Sequence, residues 1–513
     1  MRRGGKFYRW QEICKFPVYF IRFSQYNRDN EFEERGTGSQ TGRRGGKDAI
    51  MISIKDTILE GKKHIHFIGI GGSGMYPIVQ ILHGLGFTMS GSDNNPGETI
   101  EAERALGIPV TIGQKAENIA GADLIVHTAA IMEDNPELVA ARQSGVPTIE
   151  RMVLLGLISR WFEDCICVCG THGKTTTTSM LTQILLENGM DPSAVVGGKL
   201  DAIHGSGRLG KSPVMVCEAC EFADHFLQLD PDVAVILNVD ADHLDYFKTL
   251  DNVIASFHKF AQMANKAVIY NGDDPNTCKA VEGVTGKKLI SYGKRPENDY
   301  YPENIQHHGG SRCGYDLMHQ GKLLGHVELS VPGEHNVLNS IGAIAAALEV
   351  GCGLEGALKA ADSFKGAHRR FEIMGVKNGV TIADDYGHHP AELEVTLRAA
   401  KEMDYKRVWA VHQPFTYSRT AMLLDDFARV LQLADRVVLS EIMGSREKNT
   451  YNIYSKDLAE KIPGCVWFPT LREVADYVMA NAQPGDLVIT MGCGDVYKCA
   501  RMMLDEPDYE QEK

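Results

Sequence analysis

The run Cys165-Ile166-Cys167-Val168-Cys169-Gly170-Thr171-His172-Gly173-Lys174-Thr175-Thr176 constrains this chain more than any other. An apolar stretch of strand length ends in glycine, and a helical pattern over 174–187 opens with Gly-Lys-Thr-Thr. Glycines let the backbone curl until several N–H groups point at one spot, and the helix start adds its dipole there. Such a loop cradles phosphate. Lys174 reaches β- and γ-phosphate oxygens, and the Thr175 hydroxyl suits Mg2+. The usual phosphate loop carries glycine six residues before the lysine; here that position is Val168, and the first glycine is Gly170, so the loop is a shortened variant. In a parallel sheet the ends of neighbouring strands share one edge with the loop. Glu218 closes "VMVCE", and Asp240, Asp242 and His243 close "VILNVDADH". Mg2+ held on phosphates takes only one or two protein carboxylates, and Asp-x-Asp-His by itself is a weak signal.

A second glycine loop lies upstream. "HIHFIGIGGSGM" matches the dinucleotide spacing at Gly69, Gly71 and Gly74, with Gly72 as an extra glycine. A diphosphate fits there. "SGSD" at 90–93 ends the next strand, where a carboxylate often meets a ribose. NAD and a UDP group satisfy these features equally.

Both loops sit in a wider alternation of strands and helices. "HIHFIGI", "FTMSGSD" and "ADLIVHTAA" read as strands of a first block, with a helix over about 75–85. "CICVCG", "PVMVCEA" and "VAVILNVDADH" read as strands of a second. In that block "NIQHHGGSRCGYD" reads as turns and "NVLNSIGAIAAALEVG" as a helix ended by Gly351. "GVTIADDY", "RVWAVHQ", "DRVVLSE" and "DLVITMG" are the strands of a third. This rhythm makes the fold α/β with mostly parallel sheets. At roughly 100–200 residues per domain, 513 residues make three domains, with two or four left open. Their limits are read as 51–160, 161–366 and 367–513. Residues 1–50, rich in Arg, Gly and aromatics, read as a disordered extension or a misassigned start.

A net charge of −14 argues against a general nucleic-acid binder. No apolar run approaches the roughly 20 residues of a membrane helix. The 12 cysteines show no paired metal spacing. Cys165 and Cys167, on a strand, read as core thiols, and the set suits a reducing, cytoplasmic location.

Taken in order, "GIGGSGM", "GTHGKTTT", the Glu218 strand end, "DADHLDYF", "GEHNVLNSIGA", "HRRFE", "DDYGHHPAE", "HQPFTYSRT" and "MGCGDVYK" resemble the Mur ligases from about residue 63 to near the C-terminus. The resemblance implies a Rossmann-like first domain for a UDP-sugar, a central ATPase domain of phosphate-loop type, and a Rossmann-like third domain that closes over both. It implies ATP contacts at Gly170, Thr171, His172, Gly173, Lys174, Thr175, Thr176, His335, Asn336 and Asn339. Arg370 and Asp385 would be added from the third domain. It implies Mg2+ near Thr175, Glu218 and His243. UDP-sugar contacts would come from Gly71, Gly72, Ser73, Gly74, Met75, Ser92, Asp93, His127, Thr128, Ala129 and Arg419. Lys174, Arg370 and His388 would be catalytic, His388 lying near the carboxylate.

The activity so implied joins the lactyl carboxylate of UDP-N-acetylmuramate to L-alanine, with ATP giving ADP and phosphate, for peptidoglycan precursors. A sister reaction with another amino acid or a peptide is the alternative. A monomer or homodimer is expected. This chain departs from many members at 219–224, which reads Ala-Cys-Glu-Phe-Ala-Asp and keeps only part of their acidic run, and at Phe415-Thr416.

A carboxylate is anionic and lacks a leaving group, so it must be activated. Transfer of the γ-phosphoryl makes an acyl phosphate, which an amine then displaces. The amine must lose a proton; His388 and His243 are both candidates for the base, and His172 for orienting the loop. Two other classes remain. A nicotinamide oxidoreductase would use only the first glycine loop. A non-catalytic ATP-binding regulator need not keep Glu218, His243, Arg370 and Asp385 together.

Overall fold

The computed structural model describes residues 57–308, 312–445 and 447–506; the reading made for residues 1–50 lies outside them. Strands Val110–Ile112, Thr88–Asp93, His64–Ile68, Leu124–His127 and Thr148–Glu150 lie side by side in that order, every pair parallel. Strand order reverses between His64–Ile68 and Leu124–His127, which opens a crevice at their carboxyl ends.

A ten-stranded sheet follows. At its centre Asp164–Cys169 pairs in parallel with Val214–Glu218 on one side and Val233–Ile236 on the other. Side chains alternate across a strand. Ile166 and Val168 therefore enter one apolar core, and Cys165, Cys167 and Cys169 enter the core on the opposite face. A strand buried on both faces reads as an unbroken apolar run, as this one does. The third sheet has six strands, parallel except for the edge strand Glu372–Lys377.

Helix Lys174–Glu187 spans the residues that its sequence suggests. Its threonines are poor helix formers, so burial must hold it. Thr175, Thr177, Thr178 and Thr182 are buried. The Thr178 and Thr182 hydroxyls donate to carbonyls one turn back, Lys174 O and Thr178 O, at 2.8 and 2.7 Å. The helix packs on Glu334–Glu349, whose small alanines permit close approach. Gly351 follows that helix at φ +88°.

Two expectations are corrected. Of "VAVILNVDADH" only Val233–Ile236 is strand, because Asn238 beyond it spends its polar groups on the phosphate loop. The stretch read as turns belongs to an antiparallel hairpin, Tyr300–His308 with Arg312–His319, extended by Lys322–Leu329. Tyr301, Cys313, Tyr315, Leu317, Val327 and Leu329 are buried beneath it, so its polar histidines and glycines masked a period-two core. Among the described residues no helix is long and apolar enough to cross a membrane.

Candidate active site

The phosphate loop turns at Gly170 (φ +147°) and Gly173 (φ +83°), both in the left-handed half of backbone space that favours glycine. A Cβ at Gly173 would lie 2.7 Å from Asn339 Oδ1, so the second glycine also lets helix Glu334–Glu349 approach. Asn238 staples the loop: its Oδ1 accepts from His172 N at 2.8 Å, and its Nδ2 donates to His172 O at 3.1 Å. The Thr171 hydroxyl accepts from Asp240 N at 2.8 Å, and His172 Nε2 stands 3.5 Å from Asp240 Oδ2. Asn238 was not singled out in the sequence, although it lies inside the quoted run.

Lys174 Nζ donates to Gly170 O at 2.6 Å and to Thr171 O at 3.0 Å, and pairs with buried Glu221 at 3.0 Å. Burial works against the lysine charge, but Glu221 and its neighbours outweigh it and lift the pKa above the ordinary value. The sequence shows Glu221 only within the run 219–224; its pairing with Lys174, 47 residues away, is not visible there. Thr175 Oγ1 donates to Glu218 Oε1 at 3.1 Å, and Glu218 Oε2 accepts from Gly197 N at 2.8 Å. His243 Nε2 faces Glu221 Oε1 at 3.9 Å and Asp242 Oδ2 at 3.7 Å, its ring edge-on to Phe222. Thr175 and Glu218 thus meet directly, while His243 stands with Glu221. Among the described residues no group of three His, Cys, Asp or Glu side chains is arranged to hold a metal ion.

A cavity of about 290 Å³ opens beside the loop. His172, Gly173, Thr175 and Thr176 line it from the loop, and His335, Asn336 and Asn339 from helix Glu334–Glu349. Arg370, Phe371, Asp385, Glu392 and Thr396 line it from the third domain. Arg370 Nη2 donates to Thr175 Oγ1 at 3.0 Å. Asp385 accepts from Gly387 N and Phe371 N, both at 2.9 Å; burial pushes its pKa up against the pull of Arg370.

His388 lies at the edge of this ensemble, half-buried, with Nδ1 3.2 Å from Tyr386 O and 3.3 Å from Glu392 Oε2. Burial lowers its pKa against the pull of Glu392 and so favours the neutral ring. Burial raises Glu392, but His388, Arg370 and the His388 N–H hold that carboxyl down to about 2. Glu392 sits four residues beyond His388, a spacing that could have revealed it. Arg419, on the short helix Tyr417–Met422, exerts its charge on Asp242, His388 and His389. These groups belong to the central and third domains.

In the first domain, Gly69 (φ +80°) donates to Ser92 O at 2.8 Å, and Gly71 N donates to Asp93 Oδ2 at 3.1 Å. Gly72 and Ser73 are exposed, and Met75 immediately precedes helix Tyr76–Gly84. The Ser92 hydroxyl is committed to buried Glu137 at 2.7 Å, so only its backbone serves the loop. His127 Nδ1 stands 3.2 Å from Thr128 O, and Thr128 packs so closely that a Cβ on Gly69 would lie 2.6 Å from its methyl. Ala129 adjoins a second cavity of about 440 Å³, lined by Asn94, Gln114, Ala130, Ile131 and neighbours, none of them singled out from sequence.

Three family profiles match in chain order. They are "Mur ligase family, catalytic domain" over 64–163, "Mur ligase middle domain" over 168–347 and "Mur ligase, glutamate ligase domain" over 369–494. The UDP-N-acetylmuramate–L-alanine ligase of Agathobacter rectalis is 46% identical over 448 residues, 86% of this chain and 97% of that one. Its namesake in Acetivibrio thermocellus is 42% identical over 451 residues, 86% of this chain and 96% of the other. The crystal structure of the UDP-N-acetylmuramate–alanine ligase of Thermotoga maritima superposes with a TM-score of 0.75 at 29% identity, covering 88% of this chain and all of that one. With two phosphate-type loops, a third domain reaching the cavity beside one of them, and these matches along its length, this chain belongs to the Mur ligase family.

Proposed function

We propose that this chain joins the lactyl carboxylate of UDP-N-acetylmuramate to L-alanine at the expense of ATP, through an acyl phosphate. One observation carries this reading beyond the relatives' names. The cavity unites the phosphate loop, the His335–Asn339 helix face and the third-domain pair Arg370 and Asp385, with the buried Lys174–Glu221 pair next to it.

In this reading the nucleotide base and ribose occupy the cavity, and the phosphates run over the loop N–H groups toward Lys174. The lysine offers its charge to the transferring phosphoryl group in place of the loop carbonyls. Arg370, already against Thr175, supplies a second cation from the third domain, and fixed charges in a water-poor site stabilise the transition state without reorganising. Oxygen donors at Thr175 and Glu218 suit Mg2+, and a Cβ at Gly197 would lie 2.3 Å from Glu218 Oε1, so glycine keeps that carboxylate's surroundings clear. Bound there, Mg2+ would neutralise phosphate charge. His388 is the better placed base: burial favours its neutral form, and Glu392 orients it and favours the imidazolium formed when the alanine ammonium gives up its proton. The 69–75 loop takes the UDP-sugar, at the strand-order reversal of the first sheet. The domain limits 51–160, 161–366 and 367–513, a cytoplasmic location, and a monomer or homodimer complete the proposal.

Phosphate release with UDP-N-acetylmuramate, scanned over single amino acids and a tripeptide, tests it. Release is expected with L-alanine and only when both substrates are present; none with L-alanine sinks the reading.

A further inference from the structure

Arg151, Arg370, Arg419 and Arg436 are the described arginines with no carboxylate oxygen within 4.0 Å. Arg436 is exposed to solvent, and Arg370 and Arg419 belong to the third-domain side of the site. Arg151 is the one in the first domain. It is half-buried, and Nη1 donates to the Gly74 carbonyl of the first glycine loop at 3.0 Å. A Cβ on Gly74 would lie 3.0 Å from the Arg151 Cζ, so the guanidinium lies directly against the loop.

Its setting is unfavourable for a cation. Arg151 is the first residue of helix Arg151–Ser159, at the positive end of that helix's dipole. Helix Tyr76–Gly84 directs its own N-terminus from the same loop. The adjacent Glu150 faces His225 at 3.5 Å instead. Burial lowers the guanidinium's pKa, although Cys220, Glu150 and Cys217 oppose the shift. A partly desolvated charge with one carbonyl partner and two helix N-termini nearby destabilises the chain unless an anion settles among them. The N–H groups of Gly69, Ile70, Gly71, Gly72 and Met75 are already bonded within the chain, so the guanidinium is the donor left to meet that anion at the loop.

We propose that Arg151 is a binding residue for the diphosphate of the nucleotide sugar, closing on it across the 69–75 loop. This rests on the reading that the loop takes UDP-N-acetylmuramate. A guanidinium presents a planar fork that matches phosphate oxygens in pairs, which an ammonium cannot do. Because Arg151 also begins the helix leading into strand Asp164–Cys169, it ties the sugar nucleotide's phosphates to the element that carries the ATP loop.

The test uses the full chain, with Arg151→Gln and Arg151→Lys titrated calorimetrically against UDP, UDP-N-acetylmuramate and ATP. Arg151→Gln should weaken UDP and UDP-N-acetylmuramate alike, by about 10- to 100-fold, the range for hydrogen bonds to charged groups. ATP affinity should stay within about twofold, and Arg151→Lys should recover part of the loss. Loss for UDP-N-acetylmuramate with UDP unaffected would overturn the diphosphate assignment. Equal loss for ATP with a lowered Tm would make Arg151 a fold residue and overturn the proposal; should Arg151→Gln not fold, the Lys variant decides by the same comparison. A wild-type chain that binds neither UDP nor UDP-N-acetylmuramate sinks the functional reading as well, whereas wild-type binding with unaltered variants sinks only this one.

Discussion

The central domain meets its two neighbours in opposite ways. Toward the first domain one apolar core runs without a break, from Ile65, Phe67 and Leu82 through Met152, Leu155 and Ile158 to Phe226, Phe257 and Phe260. Backbones touch there: a Cβ at Gly156 would lie 2.0 Å from Gln228 O, and one at Gly207 would lie 2.4 Å from Pro77 Cα. Toward the third domain polar contacts join an apolar approach of Ala399 to Gly333. Arg370 reaches Thr175, His368 Nε2 stands 2.8 Å from Asp201 Oδ1, and His368 N donates to Lys199 O at 3.1 Å. The third domain keeps its apolar cores to itself. Burial of apolar surface is non-directional and adds up over area, whereas exposed ion pairs contribute little. The first two domains therefore share one apolar core, whereas the third meets the central domain without sharing a core. The cavity lies at the weaker seam.

The largest effect should come from Lys174→Ala at the polar seam. Turnover should fall by at least about 100- to 1000-fold, as for loss of one preorganised charge donor, while UDP-N-acetylmuramate affinity measured by calorimetry stays within a few-fold. The variant also leaves Glu221 buried without its cation, costing about 3 kcal/mol. Adding Glu221→Gln should restore Tm but not turnover. Equal loss of sugar-nucleotide binding would break the separation between the seams.

Gly156→Val attacks the apolar seam. It should destabilise the chain by about 1–3 kcal/mol in chemical denaturation, because the clash is with backbone that has little room to shift. The first and central domains should still unfold together. A separate first-domain transition would contradict the shared core.

The smallest effect concerns pH. Glu372 raises the His368 pKa, and Asp201 adds to it against burial, so that it reaches about 9 from an ordinary 6.5. The charged ring's contribution to docking is then full below about pH 6.5 and lost as pH rises through about 9. Interdomain FRET should report loosening over that interval, absent in His368→Ala; no difference between the two would remove His368 from the seam.

The local parts of this arrangement were legible in sequence. Glycine loops between strand and helix announce themselves, because a few adjacent residues do the work, and helix Lys174–Glu187 was read to its ends. The parts that depend on distant partners were hidden. Nothing near Glu221 or Asn238 says that each will hold the phosphate loop, and the unpaired state of Arg151 exists only once the carboxylates are placed. Ser92 shows the same dependence: its hydroxyl donates to Glu137, 45 residues away. The strands around His307 and Cys313 are missed because the buried Cys313, Tyr315 and Leu317 are interleaved with Gly314 and Asp316, which read as turn residues.

The most direct measurement of the ligase chemistry follows oxygen. UDP-N-acetylmuramate carrying ¹⁸O in its lactyl carboxylate is incubated with the chain, ATP, Mg2+ and L-alanine, and the released phosphate is examined by mass spectrometry. Activation through an acyl phosphate predicts that one labelled oxygen passes to phosphate for each amide bond formed. Amide formation with unlabelled phosphate, or phosphate release with no amide, would contradict it.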